Sequence, residues 1–125
     1  MEIKDLTKAE EQLMQIIWQI EKGFVKDVMD HLPIPKPAYN TVSTIIRILE
    51  TKGFLAHEAF GKAHQYYPLI SREDYRRYAT SKLLDNYFEN SVESMFSFFV
   101  KEEKLDLSDV DEILKMIKDM KNRPR

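Results

Sequence analysis

The stretch Tyr39-Asn40-Thr41-Val42-Ser43-Thr44-Ile45-Ile46-Arg47-Ile48-Leu49-Glu50-Thr51-Lys52-Gly53-Phe54-Leu55 decides the fold. Val42, Ile45, Ile46 and Leu49 recur at i, i+3, i+4 and i+7, the stripe of a helix with one face in a core. Pro37 suits the first turn of such a helix and Gly53 closes it, so the spacing predicts a helix from Ala38 to Lys52. Its opposite face is Asn40, Thr41, Ser43, Thr44 and Arg47, with Glu50 and Lys52 following. Outward positions are ordinarily filled by Glu, Lys and Gln, which favour helix; Asn, Ser and Thr compete for nearby backbone groups and weaken it. Accepting that cost at four of these five positions points to a face built to hydrogen-bond. Such side chains reach base edges and phosphates in a DNA major groove, and Asn can pair with adenine.

On the N-terminal side, Thr7 and Glu10 form a capping box, and Leu13, Ile16, Ile17 and Ile20 follow as a core stripe. Gly23 is expected to stop this first helix. Trp18 lies off the stripe and is expected to pack under a neighbouring element. A shorter helix is predicted from Val25, Val28, Met29 and Leu32, ending at Pro33-Ile34-Pro35-Lys36-Pro37. Past the deciding stretch, Ala56–Phe60 and His64–Tyr67 flank Gly61-Lys62-Ala63, which reads as a β-hairpin. Three helices and a two-stranded hairpin make a winged helix. The wing tip would bring Lys62 to a phosphate, with Lys36 and Tyr39 at the phosphate edge of the groove. The candidate DNA contacts are therefore Lys36, Tyr39, Asn40, Thr41, Ser43, Thr44, Arg47 and Lys62.

From Ser71 the pattern is helical to the end. Ser71 with Asp74 resembles a capping box and precedes Tyr75, Tyr78, Ala79, Leu83 and Tyr87. Ser91 opens a second helix carrying Val92, Met95, Phe96 and Phe99. Ser108 and Asp111 open a third, with Val110, Ile113, Leu114, Ile117 and Met120, before a polar tail from Lys121 to Arg125 that reads as frayed. These helices are apolar and aromatic but have no companion sheet. Pairing with a second copy about a two-fold axis would bury them. The alternative is that they fold back on the N-terminal half. The candidate dimer contacts are Tyr87, Val92, Met95, Phe96, Phe99, Ile113, Leu114 and Ile117. The fold class is mainly α with a small β-hairpin. Residues 1–70 form a winged-helix DNA-binding domain and 71–125 a helical dimerisation domain.

Composition bounds the function. Of 125 residues, 43% are hydrophobic and 32% charged, as in ordinary globular proteins. No apolar run approaches the ~20 residues of a membrane span, and no signal-peptide core follows Met1-Glu2-Ile3-Lys4-Asp5. A cytoplasmic protein without membrane insertion is expected. The absence of cysteine excludes disulfides, thiolate metal sites and a Cys nucleophile. No nucleophile elbow, P-loop or dinucleotide-binding turn is present, so neither an enzyme nor a cofactor is expected. His57 and His64 could face each other across the hairpin, but no Asp or Cys nearby completes a metal site, and they read as polar wing residues.

Charge is the feature least like a DNA-binding protein. The net charge is −2, with 8 Lys/Arg and 9 Asp/Glu in residues 1–70. Only the window from Lys36 to Tyr67 tilts positive: Lys36, Arg47, Lys52 and Lys62 stand against Glu50 and Glu58. A winged-helix interaction module that does not bind DNA is the alternative this balance leaves open.

The run from Tyr39 to Leu55 resembles the recognition helix of the penicillinase-repressor family of winged-helix transcriptional repressors. Further matches are Leu6-Thr7-Lys8-Ala9-Glu10 with Trp18, Tyr66-Tyr67-Pro68-Leu69-Ile70-Ser71 and Phe88-Glu89-Asn90-Ser91, so the likeness runs from about Leu6 to Met120. The resemblance implies a homodimer that represses by occupying a dyad-symmetric operator. In several members it also implies a membrane-bound sensor metalloprotease whose action leads to cleavage in the C-terminal region. That cut lies near an Asn-Phe pair in the segment matching Phe98-Phe99. Here the segment reads Ser97-Phe98-Phe99-Val100, without the Asn. Copper-responsive relatives use C-terminal cysteine pairs, and this chain has none.

Overall fold

The computed structural model describes residues 2–121; the tail from Asn122 onward, expected to fray, lies outside them. The order is α1 (Lys8–Ile20), α2 (Val25–Asp30), α3 (Tyr39–Thr51), β1 (Leu55–Phe60), β2 (Ala63–Pro68), α4 (Arg72–Tyr87), α5 (Val92–Lys101) and α6 (Leu107–Lys121). The fold class is thus mainly α with one antiparallel hairpin, as the periodicities predict. The chain divides into two compact units, one up to Tyr78 and one from Ala79 onward.

In the first unit, α1 begins at the expected capping box. The Thr7 hydroxyl accepts from the Glu10 amide (3.2 Å), and the Glu10 carboxylate accepts from the Thr7 amide (2.9 Å). Leu13, Met14, Ile16 and Ile17 are buried, and they meet Val25, Val28 and Leu32 of the α2 region and Val42, Ile46 and Leu49 of α3 in one core closed by Phe54, Leu55, Tyr66 and Ile70. Trp18 is half-buried as expected. Its Nε1–H donates to the Ile70 carbonyl (2.9 Å), and its ring lies 6.0 Å from that of Tyr75. The first turns of α4 thereby close over α1, and the Tyr75 hydroxyl lies 3.3 Å from the Leu6 amide as its acceptor.

Three local expectations are corrected. Helix α1 ends at Ile20 with Glu21 as its C-cap, and Glu21 rather than Gly23 takes the positive φ (71°) at this helix end. Gly23 instead pairs with Tyr66 in both directions, its amide donating to the Tyr66 carbonyl (2.9 Å) and its carbonyl accepting from the Tyr66 amide (2.8 Å). A Cβ at Gly23 would stand 2.8 Å from Ile20 Cδ1 and 3.1 Å from Asp27 Cβ, so a larger residue here would have to displace both side chains. Pro37 lies just outside α3, because Ala38 is extended (φ −64°, ψ 147°) and serves as the N-cap, so the helix starts two residues after Pro37. Helix α6 is capped by Asp106, not by Ser108: Asp106 and Asp109 exchange side chain-to-amide bonds of 2.9 and 3.1 Å.

The other expected caps are present. The Ser71 hydroxyl accepts from the Asp74 amide (3.0 Å), and Ser91 accepts from Ser94 (3.0 Å) at the start of α5. In the second unit, no residue of α4 or α5 is fully buried. Phe88, Phe98 and Phe99 form a local aromatic chain with ring separations of 5.6 and 6.2 Å. Met95, Phe96, Phe99 and Ile113 are half-buried. Tyr87, Val92, Leu114 and Ile117 are exposed, Tyr87 by 76%.

Candidate nucleic-acid interface

Helix α3 presents the face the sequence assigned to it. Val42, Ile46 and Leu49 have no solvent exposure, which fixes the rotation of the helix. Asn40, Thr41, Thr44 and Arg47 are exposed on the other side, with Ser43 half-buried at its margin. Thr44 donates to the Asn40 carbonyl (2.8 Å) and Arg47 reaches the Thr44 hydroxyl (3.4 Å). Both bonds are local and exposed, so a ligand can replace them. Ile48, 42% exposed, adds an apolar position to this face that polarity alone would not single out.

The wing is held beside α3 by the hairpin register and by the Gly23–Tyr66 bridge. Residues pair from Leu55 with Pro68 to Phe60 with Ala63, leaving Gly61-Lys62 as a two-residue turn, one residue tighter than expected. Gly61 has φ +64°, the conformation a first turn residue needs in the hairpin turn that glycine favours. The tip is braced by Phe24, whose ring meets Phe60 edge-on at 5.9 Å. Between the wing, α3 and the start of α2 lies an open groove. It gathers four of the predicted contacts, Tyr39, Ser43, Arg47 and Lys62, with Lys26, Asp27, His64 and Tyr66, which sequence reading passed over. Lys36 and Tyr39 are both exposed at the approach to α3, and Lys36 does not line this groove.

The electrostatics differ from a count of charges. Lys52 is not available to a ligand: its Nζ donates to Glu10 Oε1 (2.6 Å) and to the Asp5 carbonyl (3.2 Å). Burial pushes the Glu10 carboxyl up, but the hydrogen bond and charge of Lys52 and the bonds from Thr7 outweigh it and hold the carboxyl below its usual range. Glu50 is likewise occupied, its Oε2 lying 2.5 Å from His57 Nδ1. Burial, with repulsion from Glu50, raises the Tyr66 hydroxyl above its usual range, and Arg47 opposes that shift. Glu50, Arg47, Tyr39 and Tyr66 therefore share one electrostatic neighbourhood.

His57 and His64 do meet across the hairpin, as stacked rings with centroids 4.0 Å apart and planes within 7°. A metal ion lies in the plane of each imidazole that ligates it, and two nearly parallel stacked planes have no such point in common. Among the described residues no group of three or more metal-ligating side chains is suitably placed. Among the described residues no helix is long and apolar enough to cross a membrane.

Three helices, a braced hairpin and an exposed hydrogen-bonding face on the third helix define a winged-helix protein. The sequence matches the penicillinase repressor family over residues 6–119, and the chain belongs to that family of transcriptional repressors. It is 24% identical to the methicillin resistance regulatory protein MecI of Staphylococcus aureus (strain N315) over 110 residues, covering 87% of this chain and 89% of the relative. It is also 24% identical to the penicillinase repressor of Bacillus licheniformis over 124 residues, covering 98% and 97%. The solution structure of the DNA-binding domain of the repressor BlaI superposes with a TM-score of 0.52 at 28% identity, covering 59% of this chain and 92% of that one.

Proposed function

We propose that the chain represses transcription as a homodimer, each copy setting α3 in the major groove of a dyad-symmetric operator with its wing against the backbone. The observation that carries this reading is the outward face of α3. Asn40, Thr41, Thr44 and Arg47 are exposed together, beside a groove that adds Tyr39, Ser43 and Lys62. Lys36 flanks the same helix end and would meet a phosphate. Ala38 caps α3 without a side-chain hydrogen bond, which leaves the first helical amides for the backbone of the duplex.

Dimerisation is assigned to the helical region that begins at Ser71, whose first turns pack on the winged helix and whose part from Ala79 onward is a compact unit of its own. Its support is the exposed apolar surface of Tyr87, Val92, Leu114 and Ile117, continued by the half-buried Met95, Phe96, Phe99 and Ile113. Large apolar patches of this kind mark interaction surfaces, and a two-fold pair buries each patch against its own copy. The family resemblance supports relief of repression through a membrane-bound sensor metalloprotease. Its target segment, Ser97 to Val100, lies in α5, with Phe98 and Val100 about half exposed.

Arg47→Ala tests the assignment of α3. Loss of a base-edge contact should weaken binding to the fragment upstream of the chain's own gene by roughly ten- to a hundredfold, from the ~1–3 kcal/mol of a specific contact. The melting temperature should not change, because Arg47 is exposed and outside the core. Equal binding by wild type and variant removes Arg47 from the interface.

A further inference from the structure

The wing carries two stacked histidines that reach from α3 to the groove. His57 is tied through Nδ1 to the Glu50 carboxylate of α3 at 2.5 Å. His64 lies flat on His57 at 4.0 Å and is exposed on the other side, where it lines the groove with Arg47 and Lys62. The stack thus runs from a carboxylate at one end to the proposed phosphate path at the other.

Imidazole is the side chain whose charge changes between about pH 5 and 8. A positive charge on His57 is matched by Glu50. Around His64 cations outnumber anions. From α3, Arg47 is positive and Tyr39 is a phenol; from α2, Lys26 is positive, and the Asp27 carboxylate, which accepts from the Phe24 amide (2.8 Å), is the one acid lining the groove. Lys62 in the turn is positive, Tyr66 on β2 is a buried phenol, and Glu58 on β1 alternates to the opposite face of the strand from His57.

Resting on the DNA-binding reading above, we infer that His64 is a proton-linked contact to the DNA backbone: it takes up a proton as a phosphate enters the groove, and duplex binding tightens as pH falls through the histidine range. The direction follows from linkage. A phosphate beside His64 favours its charged form, so the contact is complete at low pH and is lost as pH rises through the DNA-bound titration. With Lys52 locked to Glu10 and the chain carrying a net charge of −2, one added charge per copy is a large fraction of the local positive potential.

The test titrates the full chain against the duplex upstream of its own gene and against a mixed-sequence duplex at low salt, at pH 6 and pH 8 and constant ionic strength. Wild type should bind several-fold more tightly per copy at pH 6 than at pH 8. The slope of log affinity against log salt should steepen at pH 6 by about 0.9 per copy, for one additional neutralised phosphate. His64→Gln should bind alike at both pH values, with an unchanged melting curve. Lys62→Gln should weaken binding at both and keep the pH dependence. Equal pH dependence in wild type and His64→Gln overturns the inference and leaves DNA binding standing. No binding to either duplex at either pH refutes the DNA reading itself.

Discussion

Replacing Lys52 with methionine removes one charge from the joint between α3 and α1 while keeping the length of the side chain. Lys52 caps the C-terminal end of α3, and its Nζ closes on Glu10 Oε1 at 2.6 Å and on the Asp5 carbonyl at 3.2 Å. The Glu10 side chain is 7% exposed and that of Lys52 25%, so the variant leaves a nearly buried carboxylate with only its capping-box partners. A charge-assisted hydrogen bond contributes about 1.5–3 kcal/mol, and limited access of water to the vacated side brings the expected loss to about 2 kcal/mol at pH 7. For a domain of this size that lowers the melting temperature by roughly 10 °C.

The pH dependence gives the sharper signature. The folded-state Glu10 carboxyl titrates below its usual range. Its contribution is therefore full above the ordinary carboxylate value of about 4.3 and is lost as pH falls through the lowered folded value. In Lys52→Met the burial of Glu10 is less opposed and favours the protonated form. The stability gap between the two proteins should then be widest near neutrality and close toward about pH 3. Urea unfolding across that range, with Glu10→Gln and the double variant completing a cycle, should show a coupling of about 1–2 kcal/mol at pH 7. A gap below about 0.5 kcal/mol, or one that does not change with pH, refutes the reasoning.

Two further substitutions test other parts of the fold. Gly23→Val places branched methyl groups where even a Cβ stands 2.8 Å from Ile20 Cδ1 and 3.1 Å from Asp27 Cβ. It should cost about 2 kcal/mol in urea unfolding, and an unchanged midpoint would mean that Ile20 and Asp27 give way without loss. Phe96→Asp puts a charge into the half-buried apolar surface of α5. Sedimentation should show monomers and operator binding should collapse, while a dimer that persists moves the interface elsewhere.

What the sequence disclosed was local. The stripe Val42, Ile45, Ile46 and Leu49, the Thr7–Glu10 box and the hairpin around Gly61 each act within a few residues; the box is present as expected, the stripe is buried except for the partly buried Ile45, and the hairpin turn is one residue tighter than the pattern put it. The misreadings came from partners distant along the chain. Gly23 looked like a helix stop because its pairing with Tyr66, 43 positions later, leaves no periodic trace. Lys52 counted toward a DNA-facing charge excess because nothing near it announces Glu10, 42 residues earlier. His57 and His64 were weighed for a missing Asp or Cys, whereas the acid beside His57 is Glu50, brought there by the turn from α3 into β1. Asp106 displaced Ser108 as the α6 cap because a reciprocal Asp106–Asp109 pair satisfies two amides at once. For the interface, the outward face of α3 was legible, since polarity and periodicity both mark it. The groove residues Lys26 and His64 were not, because they join the site only through the packing of α2 and the wing against that helix.

The central claim is that α3 and the wing bind operator DNA, and one titration addresses it. The full chain is added to a labelled fragment from upstream of its own gene at several salt concentrations, with mixed-sequence duplex as competitor. Specific binding that survives the competitor is expected. Its affinity should fall by a factor of ~10³–10⁵ between 50 and 200 mM salt if six to ten phosphates are engaged. A chain that binds neither duplex at the lowest salt would contradict the account and favour a winged helix that serves another partner.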